Sequence, residues 1–517
     1  MDTFISSLIL SCSVTATLFY GWRILNWLWF TPRNMEKRLR QQGFRGNPYR
    51  FFYGDLRESS MTRKEARSKP MVFSHDIVPR VIPSFHKALQ NYGENCFVWF
   101  GPKPAVLVLV PEIIREIMSK NYVFQKPGSP FTRLLAGGLA SLERDEWAKH
   151  RRLINPAFHA EKLKHMVPAF HLSCGEMLSK WDEIVGSNEG CREVDVWPYL
   201  QTMTSDVISR TAFGGSYEQA RKMSELQKEQ AKHIMEAHRS VRIPGYRFLP
   251  TRFNRRMKET KSEIESILLG MIKERLKAME EETYSNDLLG VLLESNFKEN
   301  GNNGLGMSVE EVIEECKLFY FAGHESTASL LVWTMILLSK HGDWQARARQ
   351  EVLQAFGTAK PSFQELNHLK IVSMILHEAM RLYPPVAVLA RTHHEECKLG
   401  TVSLPAGVQL VLPAILLHRD PRIWGHDATE FKPERFSEGV EKAVQGQAAY
   451  FPFGWGPRIC IGQKFAMLEA KIAMAMILQR FSFRLSSSYS HAPHPVITLQ
   501  PQYGAHLMLT KTIEFQK

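Results

Sequence analysis

One cysteine stands alone in the stretch FPFGWGPRICIG, Phe451 to Gly462. No second cysteine follows at metal-finger spacing, so whatever chemistry Cys460 does, it does by itself. A lone cysteine has three ordinary fates. It can be a small buried hydrophobe, the commonest outcome. It can be a nucleophile, which needs a base close by and usually a helix N-terminus. It can be the axial thiolate of a haem iron. The neighbours favour the third. Gly456 and Gly462 remove side chains beside the sulfur, so a flat macrocycle can lie against the backbone. Arg458 supplies a fixed positive charge suited to a propionate, and Phe453 can pack under the ring. Backbone N–H groups in a tight turn can donate to the sulfur and moderate its charge. The helix that follows, QKFAMLEAKIAMAMILQRF, turns its N-terminal dipole toward a thiolate.

A second set of reactive residues lies in a long helix. Ser308 and Glu311 form a capping box, and helical character then runs to Lys340, about 50 Å at 1.5 Å per residue. Its middle reads FYFAGHESTASLLVWTMILL. His324 and Glu325 at the centre argue against a membrane span, where charge is expensive, and for a buried core helix. Gly323, Glu325, Ser326 and Thr327 make a small, polar notch where a ligand can approach the backbone.

The elements that must position these residues are mostly helical. Charged helices are expected at Arg252–Glu282 and Asp343–Phe356, and short strands within Phe97–Val110 and Leu404–Pro413. A hairpin is expected over Val496–Thr510, and a Gly/Asn loop over Phe297–Met307. Neither repeat nor low-complexity linker divides the chain, so its 517 residues read as one large, mainly α domain with small β-sheets. Seven scattered cysteines without a CxxC pair signal neither a disulfide framework nor a zinc site.

The N-terminus is a separate element. Thr3 to Trp22 carries no charge, and Trp22, Trp27 and Trp29 follow at interface position. Arg33, Lys37, Arg38, Arg40 and Arg45 come next, which keeps the following chain cytosolic. A cleaved signal peptide would carry its charges on the other side. Residues 1–30 therefore read as a retained single-pass anchor, 31–50 as a basic linker and 51–517 as the catalytic body. The net charge of +12 comes without a basic, aromatic-interleaved stacking surface, so no nucleic acid is expected. An anionic membrane surface or an acidic protein partner suits it better.

Phe453-x-x-Gly456-x-Arg458-x-Cys460-x-Gly462 resembles the haem-binding signature of the cytochrome P-450 superfamily of haem-thiolate monooxygenases. Three further motifs occur in that family's order. HEAMR holds Glu378 and Arg381, which share a helix face. With Arg435 of FKPERF they look like the family's buried Glu-Arg-Arg network. WAKHR resembles the W-x-x-x-R motif, which implies that Trp147 and Arg151 reach haem propionates, and Arg391 matches another arginine so used. AGHEST resembles the oxygen-activation motif, which implies proton delivery by Glu325 and Ser326, with Thr327 sharing the relay. Serine stands where threonine is usual, keeping the hydroxyl and losing the methyl that restricts its rotamer.

The resemblance implies haem b as cofactor, O2 as co-substrate, the endoplasmic reticulum as location and a single-pass topology with the catalytic body in the cytosol. No flavin or nicotinamide fingerprint occurs, so NADPH electrons are expected through a separate flavoprotein, NADPH–cytochrome reductase. Lys149, Arg152 and Lys464 are the residues expected to dock it. Stretches such as EECKLFYFAG, HGDWQARARQEV and QPQYGAH resemble the plant branch containing secologanin synthase and triterpenoid oxidases. Substrate contacts are expected, by place, from Phe131, Leu134, Leu135, Leu139, Ala322, Val386, Val388, Leu389, Gln502 and Tyr503. This mostly apolar set fits a hydrophobic terpenoid, a pentacyclic triterpenoid before an iridoid or a gibberellin-like diterpenoid. A haem-thiolate isomerase, a dehydratase or a non-catalytic haem protein would have no use for the intact AGHEST. HRD at His418–Asp420 lacks the other kinase motifs, and His150, His393 and His394 form no ligand set by spacing.

Overall fold

The computed structural model describes residues 2–128, 130–135, 137–186, 190–214, 217–239, 249–281, 287–297 and 306–512. Its N-terminal helix α1 (Asp2–Leu25) passes through one π-turn (Asn26–Phe30) into α2 (Thr31–Gln41). Among the described residues this is the one helix long and apolar enough to cross a membrane, and none of its apolar window is buried. The basic stretch 31–50 is not a linker. Leu39 is fully buried, and Phe44 and Tyr49 join it in a cluster with Phe97, Trp99 and Val106. Tyr49 Oη donates to the Leu28 carbonyl at 2.7 Å, and Glu36 accepts from the Tyr49 N–H at 3.0 Å. Apolar residues at Leu39, Phe44 and Tyr49, set among outward-facing cations, weld this segment to the body.

The other principal helices are α3 (Arg144–Ile154), α4 (Ala160–Val185), α5 (Val196–Ile208), α6 (Tyr217–Arg239), α7 (Arg252–Glu280) and α8 (Val309–Lys340). They are followed by α9 (Gly342–Phe356), α10 (Lys370–Leu382) and α11 (Gln463–Arg480). Helix α8 starts at the expected capping box, Ser308 Oγ accepting from the Glu311 N–H and Glu311 from the Ser308 N–H. It is apolar nearly all round because α5, α10 and α11 cover it, which makes it a core helix.

Eleven short strands lie among the described residues: β1 (Phe97–Phe100), β2 (Lys103–Leu107), β3 (Arg192–Asp195), β4 (Leu389–Thr392), β5 (Cys397–Leu399), β6 (Val402–Leu404), β7 (Gln409–Leu412), β8 (Phe481–Leu485), β9 (Pro493–Pro495), β10 (Leu499–Pro501) and β11 (His506–Lys511). The largest sheet has the order β1-β2-β7-β4, with β2 and β7 parallel. The expected hairpin over Val496–Thr510 does not form. Instead β10 pairs back onto β9, so the tip lies at 496–498, and β11 joins β8 and β3 in another sheet. The turn residues Gln502–Ala505 thus connect two sheets rather than two strands of one. The 297–307 loop lies mostly outside the described residues.

Candidate active site

The cysteine loop is shaped by its own backbone. The Cys460 N–H donates to the Phe453 carbonyl at 2.8 Å and the Gly454 N–H to the Phe451 carbonyl at 2.9 Å. Gly454 and Gly456 both have positive φ. A Cβ on Gly456 would stand 2.7 Å from the Met118 carbonyl, so this glycine serves close packing on the 111–119 helix. Gly462 is the glycine beside the sulfur: its Cβ would lie 3.9 Å from Sγ and 3.9 Å from Phe158. Burial pushes the Cys460 thiol up, against the Gly462 N–H and the charges of Arg151 and Lys126, which favour the thiolate.

Four cations gather beside this loop, three of them around the carboxylate of Glu143. Arg458 reaches Glu143 at 2.5 Å and donates to the Leu142 carbonyl, with its guanidinium 4.7 Å over Trp147. Arg151, on the same helix α3 as Trp147, donates to the Ile459 carbonyl at 2.8 Å. Arg391 on β4 is buried and donates to the Ala390 carbonyl. The fourth, Lys126, was not singled out by sequence. Its ammonium donates to the Ala140 carbonyl at 2.8 Å, and burial beside Arg458 and Arg391 pushes it down to about 7. Burial likewise holds Arg458 at about 10. Such crowding of buried positive charge calls for an anionic partner. A soft thiolate, one flanking glycine and an excess of cations suited to two carboxylates fit haem.

Glu378, Arg381 and Arg435 lie in one closed network. Arg381 donates from Nε and Nη2 to the two oxygens of Glu378 at 2.7 and 2.8 Å, and both residues are fully buried. Arg435 lies 3.7 Å from Glu378 and 2.6 Å from Asp427. Lys432 also pairs with Asp427, at 2.9 Å. Arg381 also donates to the His418 carbonyl, and His418 Nε2 accepts from the Phe451 N–H at 3.1 Å. The histidine of HRD therefore joins this network to the cysteine loop, in the neutral form, since burial pushes it down to about 3. Sequence offered only its kinase-like neighbours, which hid that role.

Across from the loop, α8 opens at Ala322, with Gly323 and Ser326 half-buried beside it in an otherwise buried stretch. Phe158 connects the two sides: it stacks on Phe319 of α8 at 5.4 Å and stands by Gly462. Gly323 also serves packing. A Cβ there would lie 2.8 Å from Ile208, so it lets α5 approach α8. Ser326 Oγ donates back to the Ala322 carbonyl at 2.8 Å. Thr327 is buried, donates to the Gly323 carbonyl, and lies toward Glu469 of α11, so it does not share the Ser326 face. Glu325 is turned sideways. Its carboxylate accepts from Gln500 Nε2 at 2.7 Å and Thr498 Oγ1 at 3.0 Å, with Gln201 Nε2 at 3.5 Å and His324 Nε2 at 3.4 Å. Burial pushes this carboxyl up, but His324, Thr498 and Lys228 outweigh it and hold it below the usual range. Thr498 and Gln500 were missed because the hairpin was placed too late in the chain.

The expected substrate residues divide. Leu135 packs with Ala231, Ile234, Met257 and Phe321, with Leu134 against them, while Leu139 belongs to the main core. Val386 and Val388 are half-buried and two residues apart on extended chain, whereas Leu389 packs on the sheet cluster. Gln502 and Tyr503 are not brought to the notch: Gln502 bonds Arg80 at 2.7 Å and the Arg67 carbonyl at 3.2 Å, with Tyr503 beside it. The side chain of Phe131 lies outside the described residues. Of the histidines, His150 is buried against Glu315 at 2.6 Å, and His393 bonds the Glu395 carbonyl.

A thiolate loop, a cationic cradle and a polar opening in a core helix define a haem-thiolate protein. The model of the cytochrome P450 family matches residues 71–507, and the chain belongs to that family. It is 60% identical to cytochrome P450 CYP72A219 of Panax ginseng over 97% of this chain and 98% of that one. It is 51% identical to secologanin synthase 1 of Catharanthus roseus, over 96% and 98%. Among solved structures, retinoic acid bound cyanobacterial CYP120A1 superposes with a TM-score of 0.72 at 24% identity, covering 83% of this chain and 94% of that one, a likeness of fold. The family is one of monooxygenases, so the chain is an oxidoreductase of the plant CYP72A group.

Proposed function

We propose that the protein is a membrane-anchored, NADPH- and O2-dependent monooxygenase that oxidises a hydrophobic terpenoid, a pentacyclic triterpenoid first. The observation that carries this is Phe158, which stacks on Phe319 of α8 and stands by Gly462 next to Cys460, so that the cysteine loop and the helix bearing Ala322 and Ser326 line one site. Bound haem supplies oxygen activation, and a thiolate ligand favours O–O cleavage. Cys460 is its ligand. Lys126, Arg151, Arg391 and Arg458, with Trp147, hold its carboxylates, which compensates the crowded charge. Ser326 hands protons to the opening, and the carboxylate of Glu325, held by hydrogen bonds from Thr498 and Gln500, takes them from water and passes them on. Helix α1 anchors the chain in the endoplasmic reticulum membrane with the body, from residue 31 onward, in the cytosol. Exposed Arg152 and Lys464, with half-buried Lys149, face an acidic reductase.

The test is the reduced, carbon-monoxide-bound absorption spectrum, followed by turnover with NADPH and reductase on β-amyrin-type triterpenes, iridoids and gibberellins. A thiolate-type spectrum with terpenoid oxidation is expected. That spectrum without turnover of any terpenoid overturns the reading. Iridoid turnover alone moves the substrate toward that of the secologanin synthase relative.

A further inference from the structure

Helix α3 carries two members of the cradle, Trp147 under Arg458 and Arg151 on the Ile459 carbonyl. Between them in the chain stands His150, which is 3% exposed. Its Nδ1 lies 2.6 Å from Oε1 of Glu315 on α8, and its Nε2 lies 3.5 Å from Oε1 of Glu311. Glu315 is fully buried, and its second oxygen has no hydrogen-bond partner among the described residues. The same carboxylate lies against Gly138, where a Cβ would stand 2.5 Å from Oε2. Gly138 opens the segment whose Ala140 and Leu142 carbonyls accept from Lys126 and Arg458, and whose Glu143 pairs with Arg458. One buried carboxylate of α8 thus touches two of the stretches that build the cradle. Helix α3 is not one of the helices packed closely along α8, so a side-chain pair rather than backbone packing joins the two there.

A carboxylate out of water needs a cation, and His150 is the ionisable group hydrogen-bonded to this one. Burial pulls the imidazole down, but the hydrogen bond and charge of Glu315, with Glu311 behind them, outweigh it and hold it above its ordinary value. On its own helix, Lys149 and Arg151 leave about 100° to either side of it, and Glu146, one turn back, is exposed. The turn Gly138–Ser141 brings no ionisable side chain. The helix Leu288–Phe297, packed on α3, brings Glu294, and Asp287 just ahead of it is engaged by Arg275. We propose that His150 is a positioning residue for haem: paired with Glu315, it holds α3 to α8 so that Trp147 and Arg151 stay on the haem carboxylates, and loss of its proton frees that side of the cradle. This rests on the reading of Trp147 and Arg151 as haem-holding residues. By linkage, an imidazole raised in the folded protein adds its stability in full below the unfolded value, about 6.5, and that addition is lost as pH rises through the folded value. Haem is therefore held more firmly in mild acid than in mild alkali.

The test is the rate of haem transfer from the full-length haem protein to apomyoglobin, measured from about pH 6 to about pH 9. His150→Gln keeps an amide that can donate to Glu315 and removes the charge. It should transfer haem about ten-fold faster than the wild type at about pH 6, the scale of one charge-assisted hydrogen bond. The ratio should fall toward one at about pH 9, where the wild-type imidazole has also lost its proton. Lys126 titrates in the same window, but it is common to both proteins and cancels in the ratio. His150→Lys, which keeps a cation at this place, should transfer haem slowly at both ends of the range. The carbon-monoxide spectrum certifies that each variant holds haem on a thiolate. Where His150→Gln retains no haem, His150→Lys decides: slow alkaline transfer supports the proposal, and transfer as fast as that of the wild type at about pH 9 overturns it. A ratio of one throughout, or one that does not change with pH, overturns the role of His150. Arg151→Met tells that failure from failure of the cradle reading. Faster transfer from Arg151→Met alone sinks only the role of His150, whereas unchanged transfer from both variants sinks the placement of α3 on the haem carboxylates as well.

Discussion

The two faces of the site are held in different ways. On the cysteine side, position is set by buried ion pairs and backbone hydrogen bonds that run without a break from Glu378 through Arg381 and His418 to Phe451. On the notch side, position is set by side chains from three elements, α5, α8 and the β9–β10 hairpin, meeting at Glu325. The first arrangement has one solution, because a buried guanidinium–carboxylate pair tolerates neither loss nor displacement of a partner. The second can be retuned one side chain at a time. A metal ligand needs a fixed place, whereas a substrate pocket gains from being adjustable.

That contrast can be broken or sharpened by substitution. Cys460→Ser should abolish the thiolate-type carbon-monoxide band and all monooxygenase turnover; retention of either would remove Cys460 as ligand. Arg381→Met leaves Glu378 buried without its pair, which costs about 3–5 kcal/mol. Thermal unfolding should show a markedly lower midpoint, and an unchanged one would mean that the network is no scaffold. Lys126→Met takes one cation from the crowded cradle. Haem transfer to apomyoglobin should speed up about ten-fold, the scale of one charge-assisted contact.

On the other face the effects are smaller on stability and fall on chemistry. Glu325→Gln should cut turnover about ten-fold or more, at the low end of general acid–base contributions, with little change in haem content. Its carboxyl is held below its usual range in the folded protein. The stability this contributes is therefore complete above the unfolded value, about 4.3, and is lost as pH falls through the folded one. The gap in thermal midpoint between wild type and Glu325→Gln should be constant from about pH 6 to 8 and shrink below about pH 5. A gap that widens on acidification would reverse the assignment. Ser326→Thr should lower peroxide released per NADPH by about two-fold through rotamer restriction alone; no improvement in coupling counts against Ser326 as the hydroxyl that matters.

Much of the cysteine side was legible beforehand because its motifs are local. The signature around Cys460 lies between Phe453 and Gly462, and Glu378 and Arg381 are one helical turn apart. The notch was legible as composition but not as direction. Gly323, read as room for a ligand, is room for Ile208, and Thr327, read as a second hydroxyl in the relay, lies on another flank. The hairpin was misplaced because Gln502–Ala505 carries strong turn residues, and turn chemistry does not say which strands it joins.

The amino-acid sequence by itself determined the class of chemistry, the capped core helix, the apolar N-terminal helix and which cysteine lies in the signature loop. Each of these rests on residue types within one or two turns of one another. Only the tertiary structure decided which cations gather with Lys126, that His418 ties the ion-pair network to the loop, and that Glu325 faces the hairpin. Those facts depend on contacts between separate elements, 33 positions apart for His418 and Phe451 and 175 for Glu325 and Gln500, and such contacts are set by how helices and sheets pack, which no local spacing encodes.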